Sequence, residues 1–323
     1  MPPILTLIGQ RLGFAVLILS LVVAIVYAGT EILPGDAITA MIPQDELIFY
    51  TEDDLAALRA EYGMDRPVAI RFAEMWWNQF SFNFGTTLTQ REPVIDRIFY
   101  PIRNSAIMAG VALVVMLALV LSMGILASLK PGGTLDTVLS SGTLISYSLP
   151  DFVVGNLFVM VFAVWLGVAP AVIMINTNAD PVSVLVASLL PVAALCVSGA
   201  AYQFRLLRGG MIDVMSTDFV ERARLAGLPT WRIALVHVLP AAVIPMLNGM
   251  TQFVAGLISG TVVIEAVFKF PGAGVELLRA LSQRELPTIQ AIAFLAALAV
   301  VAANLMSDLA VIALDPRVRR RPA

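Results

Sequence analysis

Six stretches of this chain are long and apolar enough to cross a bilayer: residues 12–33, 104–129, 138–168, 182–202, 240–265 and 288–314. A spanning helix takes ~20 mostly apolar residues, with a range of ~17–25. Inside lipid only helices and closed barrels satisfy their own backbone groups, and these runs lack the alternation of a barrel wall. The expectation is an all-α integral membrane protein with about six transmembrane helices. Composition agrees, because 13% of the 323 residues are charged and 59% are hydrophobic. A soluble domain carries ~25% charged residues, and this chain has too few to cover a water-facing surface.

The first run resembles a signal peptide in having small residues, Val26 and Ala28, near its end. Its amino-terminal region carries only Arg11, however, and its apolar core outlasts the ~7–15 residues of a cleaved leader, which favours a retained span. The net charge of −3 says little, since the charges are segregated. Arg205, Arg208, Arg222, Arg224 and Arg232 fall in 203–239, and Arg317, Arg319, Arg320 and Arg321 in the tail. Short basic loops stay in the cytoplasm, so both termini, 130–137 and 203–239 are expected there. The acid-rich segment 35–103 is then external. Within it, 52–62 reads as a short helix capped by Thr51. Trp76 and Trp77 suit a membrane interface or a surface for an external partner.

Several chemistries are missing. The two lysines, Lys130 and Lys269, follow no Gly-rich phosphate loop. A single histidine excludes His-pair metal sites, no G-x-S-x-G elbow occurs, and the lone Cys196 allows no intrachain disulfide. Ionisable and amide side chains within apolar runs are the functional candidates. Asp151 follows Pro150 in the third run, where a helix bends. It reads either as a hydrogen-bonded residue at the kink or as an acid facing a polar path, where it would favour a cationic cargo group. Asn248 and Gln252 lie four residues apart on one helix face, lining a path or joining helices. Asp308 and Asp315 read as interface residues, and Asp180-Pro181 as a turn.

The stretch TDFVERARLAGLPTWRIALVHVLP, residues 217–240, is the polar exception among the apolar runs. Asp218 is positioned to cap a helix, with Glu221 three residues on as in a capping box. Phe219, Ala223 and Ala226 form a narrow, smooth stripe. Gly227 suits the helix end and Pro229 the start of the next helix. The predicted product is a helix, a glycine corner and a second helix on the cytoplasmic face. It would either lie on anionic lipid or dock in a groove of a cytosolic partner, and its small residues favour docking.

These residues resemble a known motif. Glu221-x-Ala223-x-x-x-Gly227, nine residues, then His237-x-Leu239-Pro240 is similar to the EAA loop of ABC importer permeases. Arg222 stands where the motif usually has Ala. His237 replaces the general Ile, as in the dipeptide/oligopeptide branch. LPGD at 33–36, YGMDRP at 62–67, FNFGTTLTQREPVIDRI at 82–98, SLPDFVVG at 148–155, VVIEAVFKFPGAGVELLRAL at 262–281 and DPRVR at 315–319 resemble further segments of that branch. Asp151 departs from it, since the family position is more often small or neutral.

The resemblance implies a type I ABC importer transmembrane-domain fold with a cytoplasmic coupling helix, and the first of two permease subunits. It divides a single transmembrane domain, 1–323, into a first span (1–34), an external segment (35–103), a five-helix core (104–314) with coupling loop 213–236, and a cytoplasmic tail (315–323). The implied partners are a second permease subunit, two cytosolic ATPase subunits, an external or periplasmic solute-binding protein and inner-membrane lipid, with no nucleic acid. ATP and Mg would sit on the partner subunits, leaving this chain without cofactor, metal or catalytic residue. Asp218, Glu221, Ala223, Gly227, Pro229 and His237 would form the ATPase-coupling loop. Asp151, Asn248 and Gln252 would line the path for peptides or a related small solute, and Glu265, Phe268 and Lys269 would stand near the external gate. The competing expectation is a self-sufficient secondary transporter or channel, which calls for internal repeats, interrupted helix pairs and several buried charges.

Overall fold

The computed structural model describes residues 2–32, 49–61 and 63–314. The LPGD segment at 33–36, Tyr62, and the tail with Asp315, its arginines and DPRVR lie outside the described residues. In chain order the helices are α1 (Pro2–Ile32), α2 (Glu52–Glu61), α3 (Val68–Phe80), α4 (Val94–Ser128), α5 (Thr134–Tyr147) and α6 (Asp151–Phe158). Then come α7 (Pro181–Met215), α8 (Asp218–Leu225), α9 (Thr230–Arg232), α10 (Leu239–Phe268), α11 (Ala273–Ser282) and α12 (Leu286–Leu314). Two π-helical segments, Val159–Trp165 and Ile233–Val238, extend α6 and lead into α10. Among the described residues, five helices are long and apolar enough to span a membrane, and up to seven spans result if each of two bent helix pairs counts as one.

The third apolar run departs most from a single rod. The helices α5 and α6, the latter with its π-helical extension, meet at a bend of 107°. Pro150 has no N–H to give to a continuing helix and sits in extended backbone at ψ 146°. The Ser148 N–H bonds back to the Leu144 and Ile145 carbonyls, closing α5. Val153 and Val154 N–H groups then take the Pro150 carbonyl, opening α6. Asp151 is therefore the first residue of a new helix rather than a mid-span residue.

The fourth run extends well past residue 202. Asp180 is a true N-cap, its Oδ1 accepting from the Val182 and Ser183 N–H groups at 3.0 Å each, with Pro181 at the first turn. From there α7 continues to Met215, so 203–215, expected to be cytoplasmic connection, is helix.

Contacts divide the chain into two compact units, Met1–Arg103 with Gly272–Val301 and Asn104–Pro271 with Ala302–Ala323. In the first, Leu19, Val23, Phe84, Val94, Ile98 and Phe294 form the core. Trp76 is half-buried there, its Nε1 donating to Ser20 Oγ at 2.9 Å and its ring 4.5 Å from that of Phe80. Of the adjacent pair, Trp77 is the one that stays exposed. Arg97 Nε donates to Glu276 Oε1 at 2.6 Å, both side chains nearly buried. Buried Glu285 accepts the Leu88 and Thr89 N–H groups at 3.0 and 2.8 Å. As expected, Thr51 caps α2: its Oγ1 accepts the Asp54 N–H at 3.2 Å, while Asp54 Oδ2 accepts the Thr51 N–H at 2.9 Å, a reciprocal box.

The second unit is built on α7 against α10. Met108, Met116, Val192, Leu207, Met211, Ala242 and Met246 are buried in its core. Apolar lipid gives helices no hydrophobic reason to associate, so small residues that allow close backbone approach supply packing instead. At Gly210 a Cβ would fall 2.8 Å from the Ala242 carbonyl oxygen, whereas at Gly209 nothing lies within 4 Å.

Gly210→Ala should therefore force α7 from α10 and cost about 1–3 kcal/mol, read as a lower Tm of the purified protein in detergent. Gly209→Ala should leave Tm unchanged or raise it, helix propensity gaining up to ~1 kcal/mol. A second expectation concerns Asp54. The Thr51 hydroxyl and then its N–H hold this carboxyl below its ordinary value. A depressed carboxylate contributes stability that is present above the unfolded value, ~3.9, and is lost as pH falls through the folded one. Amide exchange in α2, corrected for its intrinsic pH dependence, should accelerate below about pH 4, and Asp54→Ala should show that faster exchange already at neutral pH.

Candidate functional site

The polar module forms the corner that its residues predict, with one change of register. Thr217 adopts extended backbone at ψ 152° and is the cap residue. Its carbonyl accepts the Val220 and Glu221 N–H groups at 3.0 and 3.3 Å, while its hydroxyl turns back to the Val214 carbonyl at 2.6 Å. Asp218 is thus the first helical residue and not the cap. It shares the first turn with Glu221, where the helix dipole favours negative charge. The inward side chain is Val220, fully buried, with Ala223 half-buried beside it. Of the predicted stripe, Phe219 and Ala226 are exposed and Ala223 is half-buried.

Gly227 ends α8 at φ +80°. Its N–H bonds to the Arg224 carbonyl at 2.9 Å and the Leu228 N–H to the Ala223 carbonyl at 3.2 Å, the two bonds of a Schellman stop. The left-handed backbone, rather than crowding, demands glycine, because nothing lies within 4 Å of a Cβ built there. Pro229 then caps α9, its carbonyl accepting from Arg232 and Ile233 at 3.0 and 3.1 Å. His237 is exposed on the following π segment. Pro240, lacking an N–H and crowding the carbonyl four residues back, accounts for the widened turn before it. The outer surface of the module carries Glu221, Arg222 and Arg224 beside Leu225, 82% exposed, and Trp231, 62% exposed.

A second feature lies between the α5–α6 bend, α7 and α10. A cavity of about 450 Å³ is lined by Tyr147, Asp151, Ser198, Tyr202 and Gln252, among others. Two of the three candidate path residues, Asp151 and Gln252, are thus brought together, and the Asn248 side chain lies outside what the structure describes. Asp151 sits over Gly260, where a Cβ would come 3.0 Å from its Oδ2. Tyr147, Ser198 and Tyr202 escaped the sequence reading; a tyrosine or serine in an apolar helix is too common to stand out.

The candidate gate residues close the end of α10. Glu265 and Phe268 are fully buried, and Lys269 is exposed in left-handed backbone at φ 54°. Glu265 accepts a hydrogen bond from Ser105, and its carbonyl accepts the Phe270 N–H at 2.9 Å. Buried Asn104 donates through Nδ2 to the Thr177 and Pro271 carbonyls at 2.9 Å each, and the Ile173 N–H takes the Phe268 carbonyl at 3.0 Å.

A further pair was not foreseen. Arg208 on α7 makes a two-pronged ion pair with buried Asp136 at the start of α5, its NH2 group 2.6 Å from Oδ2. The Gly132 N–H adds a bond to Oδ2 at 2.8 Å. The two residues are 72 positions apart, a separation no local motif signals.

Residues 120–320 match the model of the binding-protein-dependent transport system inner membrane component family. The dipeptide transport system permease protein of Lactococcus lactis is 29% identical over 314 residues, 96% of this chain and 98% of its own. A Brucella abortus protein provisionally named a peptide transport system permease is 28% identical over 313 residues, 97% of this chain and 98% of its own. The oligopeptide transport system permease protein of Bacillus subtilis is 27% identical over 288 residues, 88% of this chain and 90% of its own. With more than half of the chain inside the matched region and near full-length similarity to permeases, the chain belongs to the family of binding-protein-dependent transport system inner membrane components and is a permease subunit.

Proposed function

We propose that this chain is one of two permease subunits in an ATP-driven importer of peptides or a related small solute. It forms half of the translocation path and takes its power stroke from two cytosolic ATPase subunits that carry ATP and Mg. An external solute-binding protein delivers cargo, and both termini face the cytoplasm of the inner membrane. The observation that carries this reading is the exposed helix–glycine–helix module. Only Val220 is buried from α8, so Glu221, Arg222 and Leu225 are left for a partner. A lipid-lying helix would instead present a continuous face of large apolar side chains, and Glu221 and Asp218 oppose binding to anionic headgroups.

The module lies where a stroke would be useful. It joins the end of α7 to the start of α10, and these helices line the cavity through Ser198 and Tyr202 on one and Gln252 on the other. In this reading Asp218, Glu221, Ala223, Gly227, Pro229 and His237 form the docking corner. Asp151, Asn248 and Gln252 face the cargo, and Glu265, Phe268 and Lys269 support the outer end of the path. ATP-driven approach of the ATPases would shift a two-state equilibrium of the spans. The bent α5–α6 pair also suits a self-sufficient transporter, but the family, the shared length with permeases and the docking corner favour the importer.

Gly227→Val tests the coupling. A β-branched residue at φ +80° carries the left-handed penalty of about 1–2 kcal/mol and unmakes the Schellman stop without touching the core. In the assembled importer, cargo-stimulated ATP hydrolysis and uptake should fall at least about tenfold, as for loss of ~1.4 kcal/mol of coupling, while the subunits still co-purify. Undiminished uptake with cargo-stimulated hydrolysis intact would remove the coupling assignment.

A further inference from the structure

Asp151 is placed as a recognition group would be. A carboxylate within a membrane domain needs a proton, a polar partner or a counter-charge. No hydrogen bond or ion pair to the Asp151 carboxylate is found among the described residues, and none of the residues lining its cavity is basic. The nearest structural accommodation is steric: Gly260 leaves room for its Oδ2, which a Cβ would meet at 3.0 Å. Around it stand Tyr147 and Tyr202, both partly exposed, whose ring faces attract cations. Gln252 and Ser198 add neutral polar groups. The cavity of about 450 Å³ lies within the ~300–1,000 Å³ of small-molecule sites.

We propose that the Asp151 cavity recognises a cationic group of the cargo, an ammonium or guanidinium, during passage through the permease. The inference rests on the importer reading for its cargo and its path. It adds that this chain itself discriminates charge, in addition to whatever the binding protein selects. Asp151 would attract the cation, the tyrosine faces would flank it, and Gln252 would accept a hydrogen bond through its amide oxygen. Anionic cargo groups would be repelled at the same point.

The test uses the assembled importer in proteoliposomes, with Cys196→Ala and Ser198→Cys placing a single thiol on the cavity wall. Reaction rates are measured with trimethylammonioethyl methanethiosulfonate and with its anionic sulfonatoethyl counterpart, with and without Asp151→Asn. One charge at this range should raise the cationic-to-anionic rate ratio about tenfold over the Asn form. Trilysine should slow the cationic reagent only when Asp151 is present. An unchanged ratio, or protection by trilysine that is indifferent to Asp151→Asn, overturns the proposal. Uptake keeps the two readings apart. If ATP drives no uptake from a mixed pool of di- and tripeptides into vesicles holding the unsubstituted importer and its binding protein, the peptide-importer reading fails. If uptake is intact while the reagent ratio is flat, only the cation site fails.

Discussion

Every backbone N–H and C=O of a membrane domain that leaves a helix must find a partner inside the protein, because lipid offers none. The breaks in this chain are organised around that requirement. At the end of α10 the chain turns out of helix at Lys269, and the freed carbonyl of Phe268 takes the Ile173 N–H. Asn104 reaches the Thr177 and Pro271 carbonyls together. At 148–150 the Ser148, Val153 and Val154 N–H groups close both sides of the bend. At Gly227, outside the apolar runs, two Schellman bonds close α8. Each break is satisfied by named groups, so each can serve as a fixed corner.

Those corners connect the two functional regions. The corner at Pro150 places Asp151 on the cavity wall. The corner at Gly227 turns the chain from α7 into α10, the helices whose inner faces complete that wall. Between Gln252 and His237 run 15 residues, about 22 Å of helix at ~1.5 Å per residue. Motion at the module would therefore reach the cavity along continuous helices packed through small residues such as Gly210. The Asp136–Arg208 pair ties α5 to α7, so the bent α5–α6 pair is linked to the same rod. Asp136 is buried while Arg208 keeps part of its side chain exposed, and removing the arginine would strand a buried carboxylate, which makes the pair a link between elements.

Much of this was legible in the residues. The apolar runs follow directly from the thickness of the bilayer, and Gly227 with Pro229 announced a corner through backbone chemistry that does not depend on context. Thr51 before Glu52–Glu61 behaved likewise. What escaped depends on partners distant in sequence. Trp76 has the look of an interface residue until Ser20 supplies its hydrogen bond. Asp218 looks like a cap until Thr217 takes the extended conformation one residue earlier. Arg97 with Glu276, Arg208 with Asp136 and Ser105 with Glu265 join residues that no spacing rule relates.

The central claim is that the module at 213–236 seats on a cytosolic ATPase. Leu225 is the most exposed of its large apolar side chains and sits on the outer side of α8. With Cys196→Ala and Leu225→Cys in the assembled importer in native membranes, a photoreactive thiol label at that position should cross-link to an ATPase subunit. The yield should change on adding ATP. Cross-linking to lipid alone, indifferent to ATP and to the presence of the ATPase subunits, would contradict the account.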